Sequence, residues 1–595
     1  MLFISIFFSC VPFSLAAKNF KTSYDVTYQI NDTGITHVTF KTTLTNTSSQ
    51  FYASSYKIKV GFLKITNVSA SDQNGKINPT VIKTPDGETI AITFNKKVVG
   101  IKKTLPFTVS FDTKEVAQKQ GHIWEVNIPG IANQKDFDEF TAHVLPPKSF
   151  DAPTYVKPNS GNGTDFTKDQ LGKSGISMAF GNKQYYAFSL SYHLENTHLF
   201  PTTEQITLPP TTNYQHVVID DINPKPQNVV QDADGNWIAS YALTPSKKVS
   251  VVVKGRASVS LYPEKISLSS DEKKLYTQQQ PYWESNEKLQ ALAKKLKTPE
   301  HIYAYVVNTL HYDFSRVTAN SPRLGAAGVL QNPTSAVCLE FTDLFVALSR
   351  AANIPAREVD GFAYTQNSRQ RPISLLKDIL HAWPQYYDKE KQTWIMVDPT
   401  WGNTTGGTDY FNIMDFDHVA FVIKGQRSDY PIPPGGYKTK GFENAKDVSV
   451  SFADSFTVPI PTAKIKTTLS PTTIAGLPIR GTMQISVAHG GIFPSREIAI
   501  QSTSFFPAKQ TVTSTAIPPF GFITIPFSFS GTSFLTNQTS TITIHIAQDR
   551  VSKNIRIVPF FLSVTGIVEG GVIFGITAVV LYIITTRARR LPFFR

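Results

Sequence analysis

One stretch, residues 334–401, limits most strongly what this 595-residue chain can be. It holds Cys338, the sole cysteine once the apolar N-terminal segment carrying Cys10 is set aside as a removable leader. A lone thiol in an exported chain has no disulfide partner, so it is either an inert core side chain or a reactive group. After Pro333, either Thr334 or Ser335 can cap a helix, and Val337, Phe341, Leu344, Phe345, Leu348 and Ala352 then recur at helical spacing. Asn353 and Pro355 supply the stop. Cys338 is thereby expected in the first helical turn, where unpaired N–H groups and the macrodipole favour a thiolate and can hold an oxyanion.

Residues 357–364 read as a strand, and a polar loop with Arg369, Arg371 and Pro372 leads to a second strand at 381–388. Residues 389–392 form a turn, and 393–397 return antiparallel. A turn centred between Glu390 and Lys391 sets Trp383 opposite Asp398 and His381 opposite Thr400. His381 and Asp398 then lie diagonally on one face, within side-chain reach. A slip of one residue would separate them. Taken singly, the cysteine and histidine suit a core and the aspartate suits an Asp-Pro turn. Together they supply a nucleophile, a base and an orienter in the chain order Cys, His, Asp.

The segments Cys338-Leu-Glu-Phe-Thr-Asp-Leu-Phe-Val-Ala-Leu-Ser-Arg-Ala-Ala-Asn-Ile-Pro-Ala-Arg357, His381-Ala-Trp383 and Trp394-Ile-Met-Val-Asp-Pro-Thr-Trp401 resemble the transglutaminase-like superfamily. The resemblance implies a papain-like core that forms a thioester, with Cys338 as nucleophile, His381 as general base and then acid, and Asp398 as orienter of the imidazole. Tyr312 and Trp383 are candidates for the oxyanion site or the pocket, and no metal or cofactor is implied. Two positions depart from the family: Ala336 stands where glycine is usual, and Gln385 where glutamate is usual. His418 reads as structural, because the triad already has a base.

The length suggests about four domains. A formal charge of +13 is scattered among acidic residues, and no nucleic-acid motif accompanies it. The fold class expected is multidomain α+β: a papain-like transglutaminase core flanked by all-β sandwich domains, with one C-terminal transmembrane helix. The divisions expected are a signal peptide at 1–17, a β-sandwich at 18–150, a second β-rich domain at 151–265, the core at 280–430, an immunoglobulin-like sandwich without disulfide at 445–560, a membrane span at 567–586 and a tail at 587–595. Asp232, Asp234 and Asn236 alternate as in a calcium loop, but no closing glutamate completes the frame and a hairpin turn fits better. Six Asn-x-Ser/Thr sequons, at Asn31, Asn46, Asn67, Asn162, Asn403 and Asn537, matter only in a host that glycosylates.

Residues 567–586 carry one charge, Glu569, and are followed by Arg587, Arg589, Arg590 and Arg595. Twenty helical residues rise about 30 Å, a bilayer's hydrocarbon thickness, and the arginines assign the tail to the cytoplasm. The expectation is a single-pass protein of a prokaryotic envelope with its N-terminal ectodomain outside. Its function would be thiol-dependent acyl transfer or hydrolysis on protein or peptide amides, including cell-wall peptide. The alternative is an inactive surface scaffold or binding protein.

Overall fold

Strict alternation of apolar and polar residues builds the N-terminal region: in Phe20–Ile30 and Thr36–Asn46 nearly every second side chain is buried, as a strand's period of two requires. Asn31 closes the turn between them, its Oδ1 accepting from the N–H groups of Thr33 and Ile35 at 3.0 and 2.9 Å. The computed structural model describes residues 19–588 except 86, 132, 318–320, 374–379, 444 and 547–548. The expected signal peptide and the tail arginines beyond Arg587 lie outside these residues.

Phe20–Ile30 sits within a seven-stranded sheet, antiparallel to Thr36–Asn46 and parallel to Glu139–Leu145. Ile176–Phe180 pairs with Ile123–Ile128, and Phe166, Met178 and Phe180 share one core with Val26 and Phe111. The boundary expected at residue 150 is therefore corrected to beyond Phe180, because pairing over long sequence distances closes this unit. The second β unit joins a four-stranded sheet, in the order Gln215–Asn223, Lys248–Val259, Gln184–Glu195 and Val448–Phe452, to a three-stranded one. Val448–Phe452, expected to open the C-terminal sandwich, is instead an edge strand of this second sheet. The C-terminal sandwich starts at Ala463–Thr468 and packs Met483, Ile485, Phe529 and Ile544 into its own core.

Between these units lies an α+β core. Its helices are α1 (Glu287–Leu296), α2 (Pro299–Thr309), α3 (Gly325–Gln331) and α4 (Cys338–Ala351). Strands β1 (Ala356–Ala363), β2 (His381–Asp388) and β3 (Thr393–Met396) follow, then α5 (Pro399–Thr404) and β4 (His418–Lys424). Thr298 caps α2 by accepting from His301 N, and Asn353 ends α4 at φ 60°. The sheet runs β3-β2-β1-β4, antiparallel throughout. Phe341, Leu344, Phe345 and Leu348 of α4 are buried with Trp383 of β2 in its core. Gly361 on β1 has no room for a side chain: a Cβ there would lie 2.1 Å from Val419 O and 2.7 Å from the Trp383 ring.

β4 is the edge of this sheet, and two side-chain amides of the second β unit cover it. Gln215 donates to Ala420 O at 2.8 Å and accepts from Ala420 N at 2.9 Å. Asn236 does the same with Ile423, both at 2.7 Å. The turn at Asp232, Asp234 and Asn236 is the hairpin turn expected, with Asp232 Oδ1 accepting from Asp234 N and Asn236 N at 3.0 and 2.8 Å. An edge paired in this way is closed to other strands.

Val564–Ala588 forms the last helix. Ile567–Arg587 within it is long and apolar enough to cross a membrane. Asn236→Ala would leave the N–H and C=O of Ile423 buried without partners, at a cost of about 1–3 kcal/mol. The variant is expected to melt at a lower temperature by calorimetry, whereas Lys391→Ala on the exposed turn should stay within about 0.5 kcal/mol of the parent.

Candidate active site

α4 starts at Cys338 with Val337 as its N-cap, and not with Thr334 or Ser335 in that place. Those two belong to the preceding turn, where Asn332 Nδ2 donates to Ser335 Oγ at 2.8 Å and Thr334 Oγ1 donates to Asn332 Oδ1 at 3.1 Å. The buried Glu340 carboxylate does the capping: it accepts from Val337 N at 3.0 Å and from Leu324 N at 2.9 Å. The segment ahead of Cys338 is held by backbone bonds from His311 N to Pro333 O at 2.9 Å and from Asp313 N to Ala336 O at 2.8 Å. Tyr312 and Ala336 form a parallel bridge. Ala336 is not among the residues with positive φ, so alanine in place of glycine brings no backbone strain here.

β2 and β3 pair Tyr387 with Trp394 and Asp388 with Thr393, which is the register the turn predicted. The ladder stops at Met396. Asp398 leaves the strand to cap α5, its Oδ1 accepting from Trp401 N at 3.0 Å. Asp398 Oδ2 meets His381 Nε2 at 2.9 Å, and both side chains are completely buried. The other nitrogen of His381, Nδ1, makes no hydrogen bond among the described residues, yet the Cys338 thiol is near enough to raise its proton affinity. Trp401 stacks on the imidazole at 5.1 Å between centroids, and Trp383 at 6.1 Å.

A second histidine shares the carboxylate. His418 Nε2 lies 3.3 Å from Asp398 Oδ2, and His418 Nδ1 lies 2.7 Å from Asp415 Oδ1. Both ring nitrogens face carboxylates, so the imidazolium, with two donors, is the form that satisfies both. The pKa shifts follow from this geometry. Burial pulls His381 down, but the charge and hydrogen bond of Asp398, with the Cys338 thiol, raise it to about 9. Burial likewise opposes the His418 charge, and Asp415 and Asp398 raise it to about 9. Burial pushes Asp398 up, whereas His381 and then His418 hold it at about 2. His381, Asp398 and His418 each present a ligand atom within 4.8 Å of the others, a spacing that could also take a metal ion. Here hydrogen-bond contacts already join them.

Cys338 and His381 line one cavity of about 310 Å³. A separate depression of about 380 Å³, lined by Gln279, Glu284 and Asn286 among others, holds no cysteine or histidine. The helix carrying Cys338, the strand carrying His381 and the Asp398-Pro399 turn lie within or against one sequence signature: residues 285–399 match the transglutaminase-like superfamily. This core is transglutaminase-like. No curated protein matches the chain. Among solved structures, a provisionally assigned cysteine protease from Cytophaga hutchinsonii is 19% identical over 46% of this chain and 99% of its own, with a TM-score of 0.29. The periplasmic domain of TgpA from Pseudomonas aeruginosa is 15% identical over 37% of this chain and 91% of its own, at a TM-score of 0.23.

Within the transglutaminase-like core the remaining expected residues separate. Trp383 is wholly buried beneath His381 and does not line the cavity, so its expected pocket role is corrected to that of a packing wall. Its ring also meets His418 edge-on at 4.9 Å. Tyr312 is only partly buried as a residue, but its hydroxyl is buried without a partner among the described residues, and burial followed by the Cys338 charge raises its pKa. Gln385 accepts from Arg357 Nε at 2.7 Å. His418, read from sequence as merely structural, is bonded to the same carboxylate as His381; its spacing of three from Asp415 was the available signal.

Both imidazoles have folded pKa values above the unfolded value of about 6.5. Their contribution to stability is full below that pH and is lost as pH rises through about 9. Asp398 contributes above its unfolded value and loses that contribution as pH falls through about 2. The melting temperature is expected to fall between pH 6.5 and pH 9.5, with a shallower slope in His418→Gln, measured by scanning calorimetry at constant ionic strength.

Proposed function

We propose that this protein is a membrane-anchored, thiol-dependent acyltransferase or hydrolase acting on protein or peptide amides. The observation that carries the reading is the division of labour at His381: Nε2 is occupied by Asp398, and Nδ1 is left for Cys338 in a shared cavity. The Cys338 thiolate attacks the amide carbonyl carbon, and the carbonyl electrons move to oxygen. Donors for that oxyanion are the Cys338 N–H, at a helix start where N–H groups lack helical partners, and the unpartnered Tyr312 hydroxyl. The His381 imidazolium passes its Nδ1 proton to the departing amine as the C–N bond breaks, leaving a thioester. Water or a primary amine then attacks, giving its proton to Nδ1 as the C–S bond breaks. Water completes a hydrolysis; an amine completes a transfer.

Asp398 holds the imidazole in orientation throughout. His418, bridging Asp398 and Asp415, keeps that carboxylate ionised and in place. The apolar C-terminal helix and the arginines after it support an ectodomain outside the cell membrane and a cytoplasmic C-terminus.

In the mature full chain, alkylation of Cys338 by iodoacetamide at neutral pH should outpace that of free cysteine and slow at least tenfold in His381→Ala. Amide turnover should fall as pH rises through about 9, where His381 loses the proton it must donate, while alkylation continues. Slow alkylation that ignores His381 would overturn the reading in favour of an inactive scaffold. Tyr312→Phe is expected to lower kcat by roughly a hundredfold with little change in KM, the effect of losing one oxyanion donor.

A further inference from the structure

The cavity holding Cys338 carries a polar group that the mechanism above does not use. Asp360 lies on β1, paired with Ala382 and adjacent to the Gly361–His381 pair. It lines the cavity while only 5% exposed. Lys424 Nζ reaches its Oδ2 at 2.6 Å, but among the described residues Oδ1 has no hydrogen-bond partner. The other charges around it are engaged. Arg323 pairs with Asp343 and Glu358, and Lys424 also bonds Glu358 Oε1 at 3.0 Å. Arg316 lies 3.5 Å from the capping Glu340. Among the described residues three cationic side chains thus stand among four carboxylates, and of the two carboxylates on the cavity wall, Glu340 and Asp360, it is Asp360 that holds the unmatched oxygen.

A buried carboxylate oxygen without a donor is costly, and the cost is relieved when a ligand brings the donor. The rest of the wall defines that ligand's shape. Val317, Val337, Leu339, Leu380 and Pro433 are apolar and line the same cavity. An aliphatic stem ending in a cation satisfies both features, since the methylenes pack on the wall and the charged head donates to the carboxylate. We infer that Asp360 is a specificity residue receiving a primary alkylammonium group, of the kind a lysine or another diamino acid carries, in the cavity beside Cys338. This rests on Cys338 being the nucleophile of the site. An ammonium held on a carboxylate keeps its proton and cannot attack a thioester. Asp360 therefore reads a second, non-reacting amine, carried either on the acyl donor or on a diamine acceptor.

The test compares the rates at which Cys338 in the full chain reacts with aminoethyl and propyl methanethiosulfonate, each normalised to free cysteine. In this reaction the thiolate displaces methanesulfinate and forms a mixed disulfide. The cationic reagent should be favoured roughly tenfold, as one charge-assisted hydrogen bond allows. Asp360→Asn should abolish that preference, read as the ratio of the two normalised rates within the variant, and Asp360→Glu should retain part of it. Equal normalised rates in the parent protein overturn the inference. If both reagents are slow and indifferent to His381→Ala, the reading of Cys338 falls instead. Asp360 is then judged in Cys338→Ala, where cadaverine but not 1-pentanol should raise the melting temperature, and where no rise, or one that survives Asp360→Asn, overturns it. Turnover of amides bearing lysine or norleucine beside the scissile bond, and of one amide with cadaverine or pentylamine as acceptor, separates the two sources. A lysine preference assigns the cation to the donor and a cadaverine preference to the acceptor; neither preference overturns the inference.

Discussion

The Asp398 carboxylate is the charge around which this core is arranged. An ionised carboxylate in a dry interior costs several kcal/mol unless it is paired and hydrogen-bonded. Here it is completely buried, with His381 and His418 on Oδ2 and Trp401 N on Oδ1. Those three donors come from β2, β4 and the first turn of α5. The carboxylate is satisfied only when all three elements are in place. Trp401 and Trp383 then pack against both imidazoles, which excludes water and strengthens every charge interaction among them.

This dependence spreads outward through β4. The strand that carries His418 is a sheet edge, and its outer backbone groups are paired by Gln215 and Asn236 of the second β unit. Asp234 adds its Oδ2 to the N–H groups of Gly425 and Gln426, both at 3.0 Å. From the other side the first β unit contributes Lys157, whose Nζ lies 4.0 Å over the Tyr410 ring. Burial lowers Lys157 to about 8 against the opposing charge of Asp415. Asp415 is the carboxylate that holds His418 Nδ1. Two flanking β units and the core therefore meet at one hydrogen-bonded chain, from Asp415 through His418, Asp398 and His381 towards Cys338.

Much of the site was legible because its signals are local. The turn at residues 389–392 and the period of two in the flanking strands set the register that brings His381 to Asp398. The helix stop was equally plain, since Asn353 tolerates a positive φ better than most residues. The helix start was not. Thr334 and Ser335 are strong caps by type, but Glu340 accepts from Val337 N and from Leu324 N, sixteen positions back in the chain. Only the folded chain brings Leu324 there. His418 was passed over for the same reason: β4 pairs with β1, and its reach to Asp398 depends on a sheet order that spacing along the chain does not state.

The sequence by itself determined the thiol at a helix start, the histidine on a hairpin strand with the aspartate just beyond that hairpin's end, the alternating β regions around them and the apolar stretch near the C-terminus. Each follows from periodicity or turn chemistry over a few residues. Tertiary structure alone decided that Val448–Phe452 completes a sheet begun at Gln184 and that the first unit closes at Phe180. It alone also decided that a second histidine shares the carboxylate and that, among the described residues, one oxygen of the cavity-lining Asp360 is left unpaired. Burial and partnership of a charge are properties of what surrounds it in space, and those neighbours come from segments tens to hundreds of residues apart.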